Sequence, residues 1–228
     1  MNIIAIESST ERCSVALESA GQQQQLISDR PRQHAEQILP MIDALLAEAQ
    51  LSRQQIDQVA FGQGPGSFTG VRVACSVAQG IGYGLDIPVL PISSLAALAQ
   101  SAATRSDDYE RVIAAQDARL GEIYVGSFEF ERSTLLAIGK EKVLPPQTLG
   151  EHFDLTGNHW IAAGSAWQAY RQELQTVFET SVGQLLLECR ADALAILTLA
   201  SGPAYADCAV SADQAQPVYL RDQVTQRK

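Results

Sequence analysis

A glycine-punctuated turn, Gly62-Gln-Gly-Pro-Gly-Ser-Phe-Thr-Gly-Val-Arg72, constrains this chain more than any other stretch. It joins a strand-like run at residues 57–61 to a helix-like run at residues 71–83. Four glycines within nine residues, with Pro65 among them, place the backbone in unusual dihedrals and in close approach to something. Ser67 or Thr69 suits the N-cap of the helix that follows. Such a turn can present several N–H groups to an anion at a helix N-terminus. Two nucleotide motifs are excluded. A Walker A loop needs Lys-Ser or Lys-Thr after its last glycine, and a Rossmann fingerprint would be the first turn of the chain, uninterrupted by proline. The plain alternative is that the glycines only let a helix pack tightly on a sheet.

Composition narrows the partners. With 228 residues the chain can form one large domain or two small ones, each with its own core. Its 26 acidic residues outnumber 16 basic ones, a formal charge of −10. Gripping nucleic acid unaided needs clustered Lys and Arg, so any RNA is expected to be held by a partner. Cys13, Cys75, Cys189 and Cys208 show no C-x-x-C spacing, which reads as reduced thiols in a cytoplasmic protein. The start, Met1-Asn-Ile-Ile-Ala-Ile-Glu7, lacks a basic leader and a cleavage site and reads as a strand. The most apolar stretch, residues 184–200, is interrupted by Glu188, Arg190 and Asp192. It falls short of the roughly 18 uninterrupted apolar residues of a membrane span.

Periodicity predicts strands at 2–7, 13–18, 23–28, 57–61 and 88–92, with helices at 33–50, 67–83 and 94–103. A polar patch at 104–110 reads as a linker. Strands follow at 111–116, 122–130, 134–143 and 160–163, with helices at 148–152 and 166–175. The order β-β-β-α-β-α thus occurs twice. It implies two mixed α/β lobes, residues 1–103 and 104–228, with a cleft between them. The first hairpin turn of each lobe, residues 8–12 and 117–121, is expected to face that cleft.

Several segments together resemble the TsaB (YeaZ) family. They are Ile-Ala-Ile-Glu-Ser-Ser-Thr-Glu-Arg-Cys-Ser-Val-Ala-Leu at the start, His34-Ala-Glu-Gln-Ile-Leu-Pro-Met-Ile42, Gly64-Pro-Gly-Ser-Phe-Thr-Gly-Val-Arg72, Asp117-Ala-Arg-Leu-Gly-Glu-Ile-Tyr124 and Pro217-Val-Tyr-Leu-Arg221. The match runs in order from residue 2 to about 222, with little of it in 127–209. The resemblance implies an α/β actin-like ATPase (ribonuclease H-like) fold of two lobes, each a mixed sheet flanked by helices. It also implies a part in forming N6-threonylcarbamoyladenosine at position 37 of tRNAs that read ANN codons. In that family the catalyst is the larger relative TsaD, joined by the ATPase TsaE. The family's own chain forms homodimers through the surface it offers TsaD, and tRNA is met only through the complex. Two positions depart from the family pattern: Glu7 stands where Asp is commoner, and Gln63 where Arg is.

An actin-like kinase would set acidic residues of its two phosphate turns around Mg-ATP, with backbone donors about the phosphates. Here those turns are Glu7, Ser8, Ser9 and Thr10, and Asp117, Arg119 and Gly121. The alternative is that Glu7 and Asp117 bond to the amides of their own turns. The second half carries no Gly-Gly adenosine motif (Gly157 and Gly164 stand alone), so the expectation is a vestigial cleft. No cofactor is expected to bind tightly, with ATP or ADP and Mg admitted at the cleft or at the TsaD interface. Arg119 and Glu122 then brace the lobe junction or touch a partner. No metal site is expected, because His34, His152 and His159 form no His-x-x-x-His pair. Nor do Ser8, Ser9 and Ser67 have a base at a telling spacing.

Helix periodicity supplies a candidate docking face. On residues 33–50 the apolar positions, among them Ile38, Met41, Ile42 and Leu45, cover an arc of about 160°. A helix resting on one sheet needs about 100°, so the surplus around Ile38, Met41 and Leu45 is expected to meet another chain. Pro40 predicts a kink or a late start. The second helix carries Gly66, Gly70, Ala74 and Ala78 at four-residue steps, flanked by Val77 and Ile81, a pattern that admits close helix approach.

Overall fold

The computed structural model describes residues 1–30, 33–106, 110–132, 134–155, 160–175, 179 and 181–221. Part of the predicted linker (107–109), Gly157 and His159 lie outside the described residues.

The opening strand sets the plan. β1 (Ile3–Glu7) is buried at every position, because it lies mid-sheet between antiparallel β2 (Cys13–Ser19) and parallel β4 (Gln58–Gly62). β3 (Gln22–Ser28) and β5 (Val89–Ile92) complete a five-stranded sheet in the order β3-β2-β1-β4-β5. Alternation divides the faces of β1. Ile4 and Ile6 join the core beneath α1 (His34–Glu48) and α2 (Phe68–Leu85), with Ile38, Ile42 and Phe61. Ile3 and Ala5 point to the other face, against α3 (Ser94–Ala103) and α6 (Ala193–Ala200).

The second sheet repeats the order. β6 (Arg111–Arg119), β7 (Glu122–Glu131), β8 (Thr134–Ala137), β10 (Trp160–Ala163) and β11 (Val182–Leu186) run β11-β10-β6-β7-β8, and β9 (Lys142–Leu144) also pairs with β7. Val112, Ala114 and Ile161 face the α3/α6 layer, while Ile113, Val125 and Trp160 pack outward with Leu149 of α4 (Leu149–His152) and Trp167 of α5 (Ala166–Ala169). The layers are therefore helix, sheet, helix, sheet, helix. This doubled mixed sheet, each copy reading 3-2-1-4-5, is the actin-like, ribonuclease H-like architecture.

Four expectations need correction. The predicted strand at 134–143 is two strands, because the chain breaks at Gly139 with φ +80. The helix expected at 166–175 ends at Ala169 and continues as turns. β6 extends to Arg119, with positive φ at Arg119, Leu120 and Gly121, so the turn is tighter and later than residues 117–121. Pro40 does not delay the start of α1, which begins at His34 and runs through it. The carbonyl deprived of its donor belongs to Glu36, on the exposed side where water can satisfy it. Two elements, β11 and α6, were not foreseen.

Candidate functional site

A cleft of about 1420 Å³ opens between the first turns of the two sheets. Ser9, Thr10 and Glu11 of the β1–β2 turn line it, with Gly66–Val71 of the glycine segment, Gln116–Leu120 of the second turn and Val218–Arg221 near the C-terminus. The glycines let these pieces meet. A Cβ on Gly70 would lie 1.9 Å from the Ser8 carbonyl oxygen, and one on Gly62 would lie 2.0 Å from Glu7 Oε2. The contact is stitched by hydrogen bonds: Ser67 N–H donates to the Ser9 carbonyl at 2.7 Å, and Ser8 O–H to the Gly70 carbonyl at 2.8 Å.

The first carboxylate is spent locally. Glu7 is buried; its Oε1 accepts from Ser9 N–H at 2.6 Å and its Oε2 from the Ser94 hydroxyl at 2.9 Å. Burial pushes its carboxyl pKa up, against those two hydrogen bonds, and Asp192 adds to the rise. It lies beneath the turn and is not among the cleft lining. Asp117 does line the cleft, yet its Oδ1 accepts from Arg119 N–H at 2.7 Å and from the Tyr170 hydroxyl at 2.9 Å. Burial, and then Asp117 itself, push the Tyr170 phenol up. Arg119 holds Asp117 Oδ2 at 3.2 Å and reaches Glu11 on the facing turn at 3.6 Å. Arg221 caps the second turn, donating to the Arg119 carbonyl at 3.2 Å and pairing with Glu122. Gly121 sits exposed at the turn tip.

Among the described residues no group of three or more His, Cys, Asp and Glu side chains is placed to hold a metal ion. His34 Nε2 faces the Thr10 carbonyl at 3.0 Å, and His152 Nδ1 faces Lys142 Nζ at 3.3 Å.

The sequence-derived docking residues separate into two groups. Ile38, Ile42 and Leu45 of α1 and Gly70, Ala74 and Ala78 of α2 are buried in the chain's own core. Only Met41, Val77 and Ile81 are half-buried at its margin. The wide apolar arc of α1 has an internal cause, since α1 packs on β2, on β3 and on α2 together. On its outward side α2 presents Thr69, Gly80 and Gly84, flanked by the half-buried Val73 and Val77 and with Tyr83 85% exposed beside them, and α1 presents Leu39.

Comparison with known proteins places this geometry. A family model described as TsaD, tRNA N6-adenosine threonylcarbamoyltransferase, matches residues 28–228. The tRNA threonylcarbamoyladenosine biosynthesis protein TsaB of Haemophilus influenzae is 37% identical, over 100% of this chain and 97% of its own. The Escherichia coli protein of the same description is 36% identical over 100% and 98%. The solved structure of YeaZ from Pseudomonas aeruginosa superposes with a TM-score of 0.87 at 39% identity, over 96% of this chain and 99% of that one. The chain belongs to the TsaB (YeaZ) family. It is thereby a tRNA threonylcarbamoyladenosine biosynthesis protein with an actin-like fold, and no helix among its described residues is long and apolar enough to cross a membrane.

Sequence reasoning missed a feature of this TsaB-family chain at the cleft mouth. Phe68, Arg72 and Tyr219 come together from the glycine segment and the C-terminal segment, 147 residues apart along the chain. Phe68 and Arg72 are visible in the glycine segment, but nothing in the sequence pairs them with Tyr219.

Proposed function

We propose that the chain is a non-catalytic docking subunit in the cytoplasmic complex that forms N6-threonylcarbamoyladenosine at position 37 of tRNAs reading ANN codons. It binds TsaD, the transferase, and holds it in the arrangement that accepts TsaE, tRNA and the threonylcarbamoyl donor. One contrast carries this reading. Glu7 and Asp117, the carboxylates that would flank Mg-ATP, are already engaged within the chain, Glu7 by Ser9 and Ser94 and Asp117 by Arg119 and Tyr170, whereas α2 keeps an outward stripe of small and half-buried residues beside the exposed Tyr83. Small residues in such a stripe let a second helix come close. In isolation the same face serves a homodimer. With a charge of −10, the chain meets tRNA only through its partners.

Val77→Arg tests the reading. The site is at the core margin, so the variant is expected to stay folded while losing co-elution with TsaD in size-exclusion chromatography. Undiminished complex formation would count against docking through α2. The size of the cleft favours a second reading, an ATPase or kinase using Mg-ATP between the turns. Tight Mg-ATP binding by the isolated chain, lost in Asp117→Asn, would establish that one instead.

A further inference from the structure

We propose that Arg72 is a carboxylate clamp: a preformed site on the N-terminal turns of α2 that takes one acidic side chain of the protein docked on this helix. Its guanidinium carbon lies 3.7 Å from the centroid of the Phe68 ring, and its Nε donates to the Tyr219 hydroxyl at 2.7 Å. The two rings are themselves 5.6 Å apart, centroid to centroid. The guanidinium plane is therefore held from two sides while its terminal nitrogens have no partner among the described residues. Arg12, Arg53, Arg119 and Arg221 behave differently, each pairing with a carboxylate of the same chain.

An arginine held still and without an ion pair among the described residues, in a chain with 26 acidic residues, is not a charge merely placed in water. Aromatic stacking removes the side-chain freedom that binding would otherwise have to quench. The remaining planar fork matches the two oxygens of a carboxylate. Arg72, Ser76 and Gly80 follow one another at four-residue steps on the exposed side of α2, so a protein laid along the stripe passes over the guanidinium. The proposal rests on the docking reading above and names its polar anchor. A phosphate has similar geometry, but a polyanion approaching this surface meets a net charge of −10. A single carboxylate in an otherwise neutral protein face does not carry that penalty.

The test is titration calorimetry of the full chain against TsaD at low and high salt, with Arg72→Ala, Arg72→Lys, Tyr219→Phe and Val77→Arg, melting temperatures being recorded in parallel. Arg72→Ala is expected to weaken binding about tenfold or more, and to flatten the salt dependence. Arg72→Lys keeps the charge but loses the fork, so it is expected to be weaker by several-fold. Tyr219→Phe is expected to show a smaller loss. If either Arg72 variant binds as wild type while Val77→Arg does not, the clamp is overturned and the docking reading survives. If Val77→Arg also binds as wild type, both fail. Unchanged TsaD affinity with reduced tRNA retention by the assembled complex would overturn the carboxylate in favour of a phosphate.

Discussion

The Ser93 hydroxyl, which caps α3 by accepting from Leu95 N–H and Ala96 N–H, donates to the carboxylate of Glu141 from the loop between β8 and β9. One bond thus ties the start of the central helical layer to the second sheet.

Burial pushes the Glu141 carboxyl up from 4.5 to about 7, opposed by the bond from Ser93. A carboxyl with a raised folded pKa binds its proton more tightly when folded, so its contribution is fully present below about 4.5 and is lost as pH rises through about 7. Urea unfolding of the wild type should therefore show stability falling between pH 5 and 7.5. In Glu141→Gln that part of the slope should vanish, leaving the variant the more stable above pH 7 by at most on the order of 3 kcal/mol. Parallel pH profiles for the two proteins would contradict the assignment.

Glu7 gives a different outcome because it joins two donors. Glu7→Ala strands the buried Ser9 N–H and the Ser94 hydroxyl and should cost about 2–4 kcal/mol in chemical denaturation. Glu7→Gln can still accept from Ser9 N–H and engage Ser94, so it should stay within about 1 kcal/mol of wild type. Equally large losses in both variants would show that the carboxylate's charge matters more than its hydrogen bonds.

Two glycines of α2 should respond in opposite senses to the same added methyl group. Gly70→Ala drives a Cβ to within 1.9 Å of the Ser8 carbonyl oxygen, a backbone atom fixed by the first turn. Separating α2 from that turn should cost about 3 kcal/mol or more. Gly80→Ala meets nothing within 4 Å and gains helix propensity, so it should stabilise the chain by roughly 0.5–1 kcal/mol. Thermal melting of the two variants checks both signs.

How far the sequence disclosed these features depends on what periodicity can carry. β1 and β2 are legible because one hairpin of apolar residues is buried on both faces. α3 matches its predicted span, bounded by the Ser93 cap. α6 was not read as a helix: Ala-Leu-Ala-Ile-Leu-Thr-Leu-Ala has little amphipathic contrast, because it lies between layers with most positions buried. Docking residues were misassigned in part for a related reason. Periodicity reports an apolar arc, and cannot say that Ile38 and Leu45 are consumed by the sheet and the neighbouring helix. Arg72 and Tyr219 belong to separate motifs, and only the fold brings them together.

The C-terminal segment should prove to be part of the first sheet's support. Val210 bridges Val89 at the sheet edge, with N–H to carbonyl distances of 2.9 and 2.8 Å. Ala215 is fully buried, and its carbonyl accepts from Gln79 Nε2 at 2.8 Å. Val218 N–H donates to the Gln63 carbonyl at 2.7 Å, inside the glycine segment. Removing residues 210–228 would leave the edge of β5 and the Ala215 site on α2 uncovered, and would free the Gln63 carbonyl. The expected result is a loss of about 2–5 kcal/mol, from stranded backbone groups and lost apolar burial together. Faster hydrogen exchange should then be concentrated at the Val89 amide and across the first turns of α2, with the β6–β7 ladder little changed. Exchange spread evenly over both sheets would mean that the segment supports the two halves alike.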